Sequence, residues 1–186
     1  MLYGQVHLTL PPWLLQLGPE QHRYPDDAAR MRLAIELSRL NVERGTGGPF
    51  GAALFAADGR LLGVGVNRVE AMTCSAAHAE MMALMTAQTR LARYRLNGDG
   101  LRVTLASSAQ PCCQCYGATI WAGIDELLIG ARSEDVMRLT AFDEGPLPPD
   151  WIGELERRGI AVKRDLQRED ACAVLAAYTA RGGITY

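Results

Sequence analysis

Three of the five cysteines stand within four positions, Cys112, Cys113 and Cys115, directly behind Pro111, and this stretch constrains the chain more than any other. It lies between a strand-like run, Leu101 to Ser107, and a helical segment running through Thr119 to Gly123. Thiols placed there sit in the first turn of a helix that follows a strand. Cys74 and Cys172 complete an odd number and read as small core residues. Such a pattern suits a reduced thiol or metal site in a cytoplasmic protein and does not suit a secreted disulfide framework.

A second strand-to-helix passage precedes it. Apolar residues Ala29, Leu33, Ile35, Leu37 and Leu40 recur at helical spacing after Asp26 and Asp27, and Gly45 follows the last turn. Phe50 to Ala56 and Leu61 to Val66 predict a hairpin around Asp58-Gly59, and Ala77 to Leu91 predicts a helix rich in Ala, Met and Leu. Beyond the cysteines come a strand at Leu127 to Gly130, a helix from Ser133, and a loop with Gly145, Pro146, Pro148 and Pro149. A strand at Ile160 to Val162 and a helix from Arg168 to Arg181 finish the pattern. This order predicts an α/β fold, a three-layer α/β/α arrangement around a five-stranded mixed sheet. Residues 1–25 read as an N-terminal arm and 26–186 as a single domain.

A chain of 186 residues buries enough surface to fold without a metal, so any metal site serves chemistry. The formal charge of −2 argues against a nucleic-acid polymer as partner, although a single base remains an acceptable ligand. Lys163 is the only lysine, which sets Schiff-base chemistry aside. Gly4, Pro11, Pro12 and Gly18 interrupt the apolar start, so neither a signal peptide nor a membrane span is expected.

The chemistry concentrates at two helix starts, His78-Ala79-Glu80 and Pro111-Cys112-Cys113-Gln114-Cys115. One imidazole and two thiolates hold Zn²⁺ while leaving a fourth position for water, and a helix N-terminus favours thiolate over thiol. Cys112 and Cys115, three apart, face one side of a first turn; Cys113 with Cys115 is the competing pair. With His78 at the cap as ligand, Glu80 is turned away from the metal and becomes the general acid and base. His-x-Glu followed by Pro-Cys-x-x-Cys is the known signature of zinc deaminases. A zinc-stabilised interaction module is the non-enzymatic alternative, but a structural site has no need of Glu80.

Together with Gly48-Pro49-Phe50-Gly51-Ala52, Asn67-Arg68-Val69 and Phe142-Asp143-Glu144-Gly145-Pro146, these motifs resemble the cytidine deaminase-like superfamily, in its bacterial guanine deaminase branch, from about Met31 onward. The resemblance implies one Zn²⁺ per chain, a water activated for attack, and deamination of a nucleobase, guanine first, with other aminopurines, pterins, triazines, cytosine or a nucleoside as alternatives. It also implies a homodimer in which the C-terminal helix and tail are exchanged and the tail, Tyr186 included, closes the partner's site. Asn67 is expected to hydrogen-bond the base, though it reads equally as a turn asparagine. Phe50 and Phe142 are expected as stacking walls against a competing core role, Trp121 as packing, Glu144 as a second catalytic carboxylate and Asp143 as its supporting neighbour.

Overall fold

A computed structural model describes residues 4–16 and 22–186. Helix α1, Asp27–Glu43, begins where the Asp26 carboxylate accepts a hydrogen bond from the Ala29 N–H, which satisfies one orphan amide of the first turn. Strands β1, Gly51–Ala56, and β2, Leu61–Val66, pair antiparallel across the Asp58-Gly59 turn. There follow α2, Val69–Met72; α3, Ala79–Leu91; β3, Val103–Ala109; α4, Cys113–Ala122; and β4, Glu126–Ala131. The chain then forms α5, Ser133–Leu139; α6, Trp151–Glu156; β5, Ala161–Lys163; and α7, Arg168–Ala180.

The five strands form one sheet in the order β2-β1-β3-β4-β5, antiparallel on either side of β1 and parallel from β3 to β5. Met31, Leu37, Phe55, Leu128 and Leu175 fill one layer between the sheet and α1, α5 and α7. Leu54, Leu84, Leu105, Leu127 and Leu155 fill the other, beneath α3, α4 and α6. The expected three-layer α/β/α architecture is therefore the one observed. Helices α2 and α6 were not anticipated, because elements of four and six residues are too short for a 3.6-residue period to show.

Of the arm expected over 1–25, residues 1–3 and 17–21 lie outside those described. In the remainder, Pro12–Gln16 forms a 3-10 turn that buries Trp13 and Leu14 against the α1 layer. The Trp13 indole donates to Thr46 Oγ1 at 3.2 Å, and the Arg68 guanidinium donates to the Thr9 carbonyl at 3.2 Å. Among the described residues no helix is long and apolar enough to cross a membrane.

The topology decides where chemistry can sit. Because β1 runs against both neighbours, the carboxyl ends of β2 and β3 point the same way, with the start of β1 between them: Gly51 pairs Val66, and Ala52 pairs Ser107. Side chains just past those strands therefore meet at one end of the sheet, the usual location of ligand sites in α/β folds. Helix α3 reaches that end by lying directly on β2. A Cβ at Gly65 would overlap the Ala79 carbonyl oxygen, so any larger residue would lift the first turn of α3 away.

Candidate active site

His78 is the N-cap of α3 and Cys112 the N-cap of α4, both with extended backbone. Ser, Thr, Asp or Asn normally occupies such a position and bonds the helix's own amides. Neither His78 nor Cys112 does so; their side chains turn toward each other instead. Cys112 Sγ lies 3.4 Å and Cys115 Sγ 3.6 Å from His78 Nδ1, and the three donor atoms fall within 4.8 Å of one another. Cys113 is exposed, and its thiol lies against Gly145. Cys112 and Cys115 are thus the thiols brought to the histidine. One imidazole and two thiolates, two of them on helix N-termini and one in a first turn, fit a zinc ion that keeps a position open.

The protonation of the thiols points the same way. Cys112 is drawn down to about 4, first by the hydrogen bond from Cys115 and then, against its own burial, by His78. Cys115 is pushed up, first by that shared hydrogen bond and then by burial. The pair loses one proton readily and holds the second, because two adjacent buried negative charges repel. A divalent cation removes that repulsion.

Glu80, in the first turn of α3, is buried between the cluster and the sheet. Its Oε1 accepts from Ser107 Oγ at 3.1 Å, and its Oε2 lies 3.4 Å from Cys115 Sγ. Burial, and then the charge on Cys112, raises its carboxyl above the usual range. A carboxylate so placed can take a proton and give one back.

A cavity of about 470 Å³, its mouth included, opens beside the cluster, lined by Phe50, Asn67, Glu80, Gln110 and Glu144 among others. Asn67, just past β2, accepts a hydrogen bond at Oδ1 from the Val69 N–H at 3.2 Å. That bond fixes the amide and leaves its Nδ2 as the donor available to the cavity. Asn41, inside α1, holds the surrounding loop: its Nδ2 donates to the Gly48 and Asn67 carbonyls at 2.9 and 3.0 Å.

The facing wall comes from the loop after α5. Glu144 is only 8% exposed, although Asp143 and Gly145 on either side are exposed. The loop is docked on α4, whose Cys113 N–H donates to the Glu144 carbonyl at 3.0 Å, and Asp143 Oδ1 closes the turn by accepting from the Gly145 N–H at 2.9 Å. Burial first, then the negative charges at Cys112 and Glu80, pushes the Glu144 carboxyl up to about 8. A cation in the cluster would offset the second cause and leave the first. The Phe142 ring meets Phe50 edge-on at 5.3 Å and Tyr186 at 4.8 Å.

Tyr186 arrives by a reversal after α7. Gly182 adopts φ +70°, and the Tyr178 ring leaves no room for a side chain at Gly183. The Tyr178 hydroxyl then donates to the Ile184 carbonyl at 2.7 Å, so the tail returns and Tyr186 lines the cavity of its own chain. Every sequence-predicted site residue reaches this one end of the sheet. Asn41, Ser107 and Gln110 were missed. Trp121, expected to pack, is 78% exposed, and Cys74 and Cys172 are only partly buried.

Residues 25–131 match the sequence profile of the cytidine and deoxycytidylate deaminase zinc-binding region. The structure of a guanine deaminase from Nitrosomonas europaea superposes with a TM-score of 0.91 at 44% identity, covering 97% of this chain and 99% of that one. The guanine deaminase of Bacillus subtilis is 32% identical over 61% of this chain and 69% of its own length. A tRNA-specific adenosine deaminase of Buchnera aphidicola is 31% identical over 81% of this chain and 91% of its own length. The chain belongs to the cytidine and deoxycytidylate deaminase family of zinc-dependent aminohydrolases.

Proposed function

We propose that the protein hydrolyses guanine to xanthine and ammonia. The observation that carries this reading is the buried Glu144 carboxyl, held over the same cavity as Glu80 by the loop docked on α4. Similarity to the Nitrosomonas europaea guanine deaminase along 97% of the chain supports it. The formal charge of −2 speaks against a tRNA substrate.

Zinc held by His78, Cys112 and Cys115 supplies a Lewis acid that makes water a nucleophile at neutral pH. In the overall change the water oxygen bonds to C2 of guanine, the bond from C2 to the exocyclic nitrogen breaks, and ammonia leaves. Two protons must travel, one to a ring nitrogen and one to the departing amine, on different sides of the attacked carbon. Glu80 takes the proton of the attacking water and delivers it to the ring. Glu144, raised by burial, gives its proton to the amine and is restored by the second proton of the water, released as the C2 hydroxyl becomes the carbonyl. Asn67 offers its amide N–H to the base, Phe50 and Phe142 flank the ring, Asp143 holds the loop, and Tyr186 closes the mouth.

The reading extends to assembly and location. Residues 26–186 form one deaminase unit with 1–25 as its arm, and two chains form a homodimer. Exchange of tails between them would use the Gly182-Gly183 turn as its hinge, since that is where the tail leaves α7. Five free thiols, three of them clustered, suit the reducing cytoplasm. Ammonia release by the zinc-loaded protein, measured across guanine, guanosine, adenine, cytosine and cytidine, tests the function. Guanine is expected to give the highest kcat/KM; turnover of cytidine with guanine untouched would overturn the assignment.

A further inference from the structure

The polar groups around the cavity fall into two kinds. Glu80, the Asn67 oxygen and Asp143 each have a protein partner that fixes them. Gln110 does not. Its backbone is secured, since its N–H donates to the Ala131 carbonyl at 2.8 Å and Pro111 follows, but its carboxamide makes no hydrogen bond with any described residue. Gln110 is nevertheless only 7% exposed, and it lines the cavity with Glu80 and Glu144. Among the described residues no side-chain nitrogen or oxygen is both sealed from solvent and unpaired, so the solvent this amide reaches is that of the cavity.

A carboxamide that has no protein partner and faces only the water of a cavity calls for a matching partner once that water is displaced. Here a ligand provides it. We infer that Gln110 binds the substrate directly, its carboxamide pairing with an edge of the base that carries a donor and an acceptor side by side. A purine edge of that kind matches a planar amide with two bonds at once. Since no protein group pins the amide, it can turn over and accept the donor and acceptor in either order. This inference rests on the guanine reading above.

Steady-state kinetics on guanine, zinc content, and the dissociation constant of xanthine, which binds without reacting, are to be compared for the wild type, Gln110→Leu and Gln110→Glu. Loss of one or two neutral hydrogen bonds should raise KM and the xanthine dissociation constant by roughly tenfold in Gln110→Leu, with kcat changed by less than about threefold and one zinc per chain retained. Gln110→Glu, of the same size but without the N–H donor, should weaken xanthine binding as well. Unchanged KM and xanthine binding in Gln110→Leu would overturn the inference. If that variant loses zinc, unchanged xanthine binding by Gln110→Glu overturns it instead. A wild type that leaves guanine untouched refutes the functional reading, whereas an active wild type with indifferent Gln110 variants refutes only this assignment.

Discussion

His78, Glu80, Cys112 and Cys115 stand on the first turns of two helices packed against the sheet, whereas Phe142, Asp143, Glu144 and Tyr186 come from a loop and from the end of the chain. The first group is fixed by β2 and β3, whose ends the sheet register places together. The second is fixed by a few local bonds, from Cys113 N–H to the Glu144 carbonyl and from Tyr178 to the Ile184 carbonyl. Metal ligands tolerate little misplacement and belong on rigid elements, while walls that choose a substrate can be carried by loops. The proposed metal site is therefore built into the scaffold, and the aromatic walls and the second carboxyl are laid over it.

The sharpest way to break this division is to remove a ligand. His78→Ala, Cys112→Ala and Cys115→Ala should each drop zinc from one per chain to nearly none and abolish turnover, while Cys113→Ala should keep both, as metal analysis and an ammonia assay will show. Zinc loss in Cys113→Ala would mean that the cluster is not confined to the inward thiols. Glu80→Gln should keep its zinc and lose about a thousandfold in kcat on every substrate accepted, within the range for a missing general base.

Glu144→Gln sharpens the contrast, because Glu144 belongs to the overlaid wall yet is proposed to take part in the chemistry. A fall of at least about a hundredfold in kcat on guanine is expected, with zinc content unchanged. Near-normal guanine turnover would reduce Glu144 to a loop residue. Deleting Gly182 to Tyr186 should act more mildly, raising KM or lowering kcat by about tenfold with zinc intact; unaltered kinetics would show that the tail closes nothing.

The smallest effect lies away from both regions. Asp135 on α5 is buried and takes a two-pronged ion pair from Arg168 on α7, at 2.6 and 2.9 Å. Arg168, with the Arg132 N–H and Arg138 assisting, holds its carboxyl below the usual range. A depressed carboxyl adds stability that is complete above its unfolded value near about 4 and is lost as pH falls through the lower folded value. Melting temperature should therefore drop between about pH 4 and pH 2, and less steeply in Arg168→Ala than in the wild type. Equal slopes would remove the pair from the account of acid stability.

The two regions also differed in how far the sequence revealed them. His78-Ala79-Glu80 and the cysteine run were readable because they sit at recognisable strand-to-helix passages, and the three-residue spacing favoured Cys112 over Cys113. Glu144 drew attention only through resemblance to a family, since an acid between an aromatic and Gly145-Pro146 ordinarily marks a solvated turn; its burial is a tertiary fact. Asn41, Ser107 and Gln110 gave no signal. The first two act on residues 26 and 27 positions away, and the third faces a cavity that exists only once the chain has folded. Trp121 shows the opposite error, because a large aromatic in an apolar helix reads as core yet faces out.

The central claim joins the two regions in one reaction, and a zinc titration of guanine turnover tests it most directly. Protein stripped of metal should leave guanine unchanged; on adding zinc, xanthine formation should rise in proportion to bound metal and level off at one zinc per chain. Equal xanthine formation by stripped protein, or none at one zinc per chain, would contradict the account.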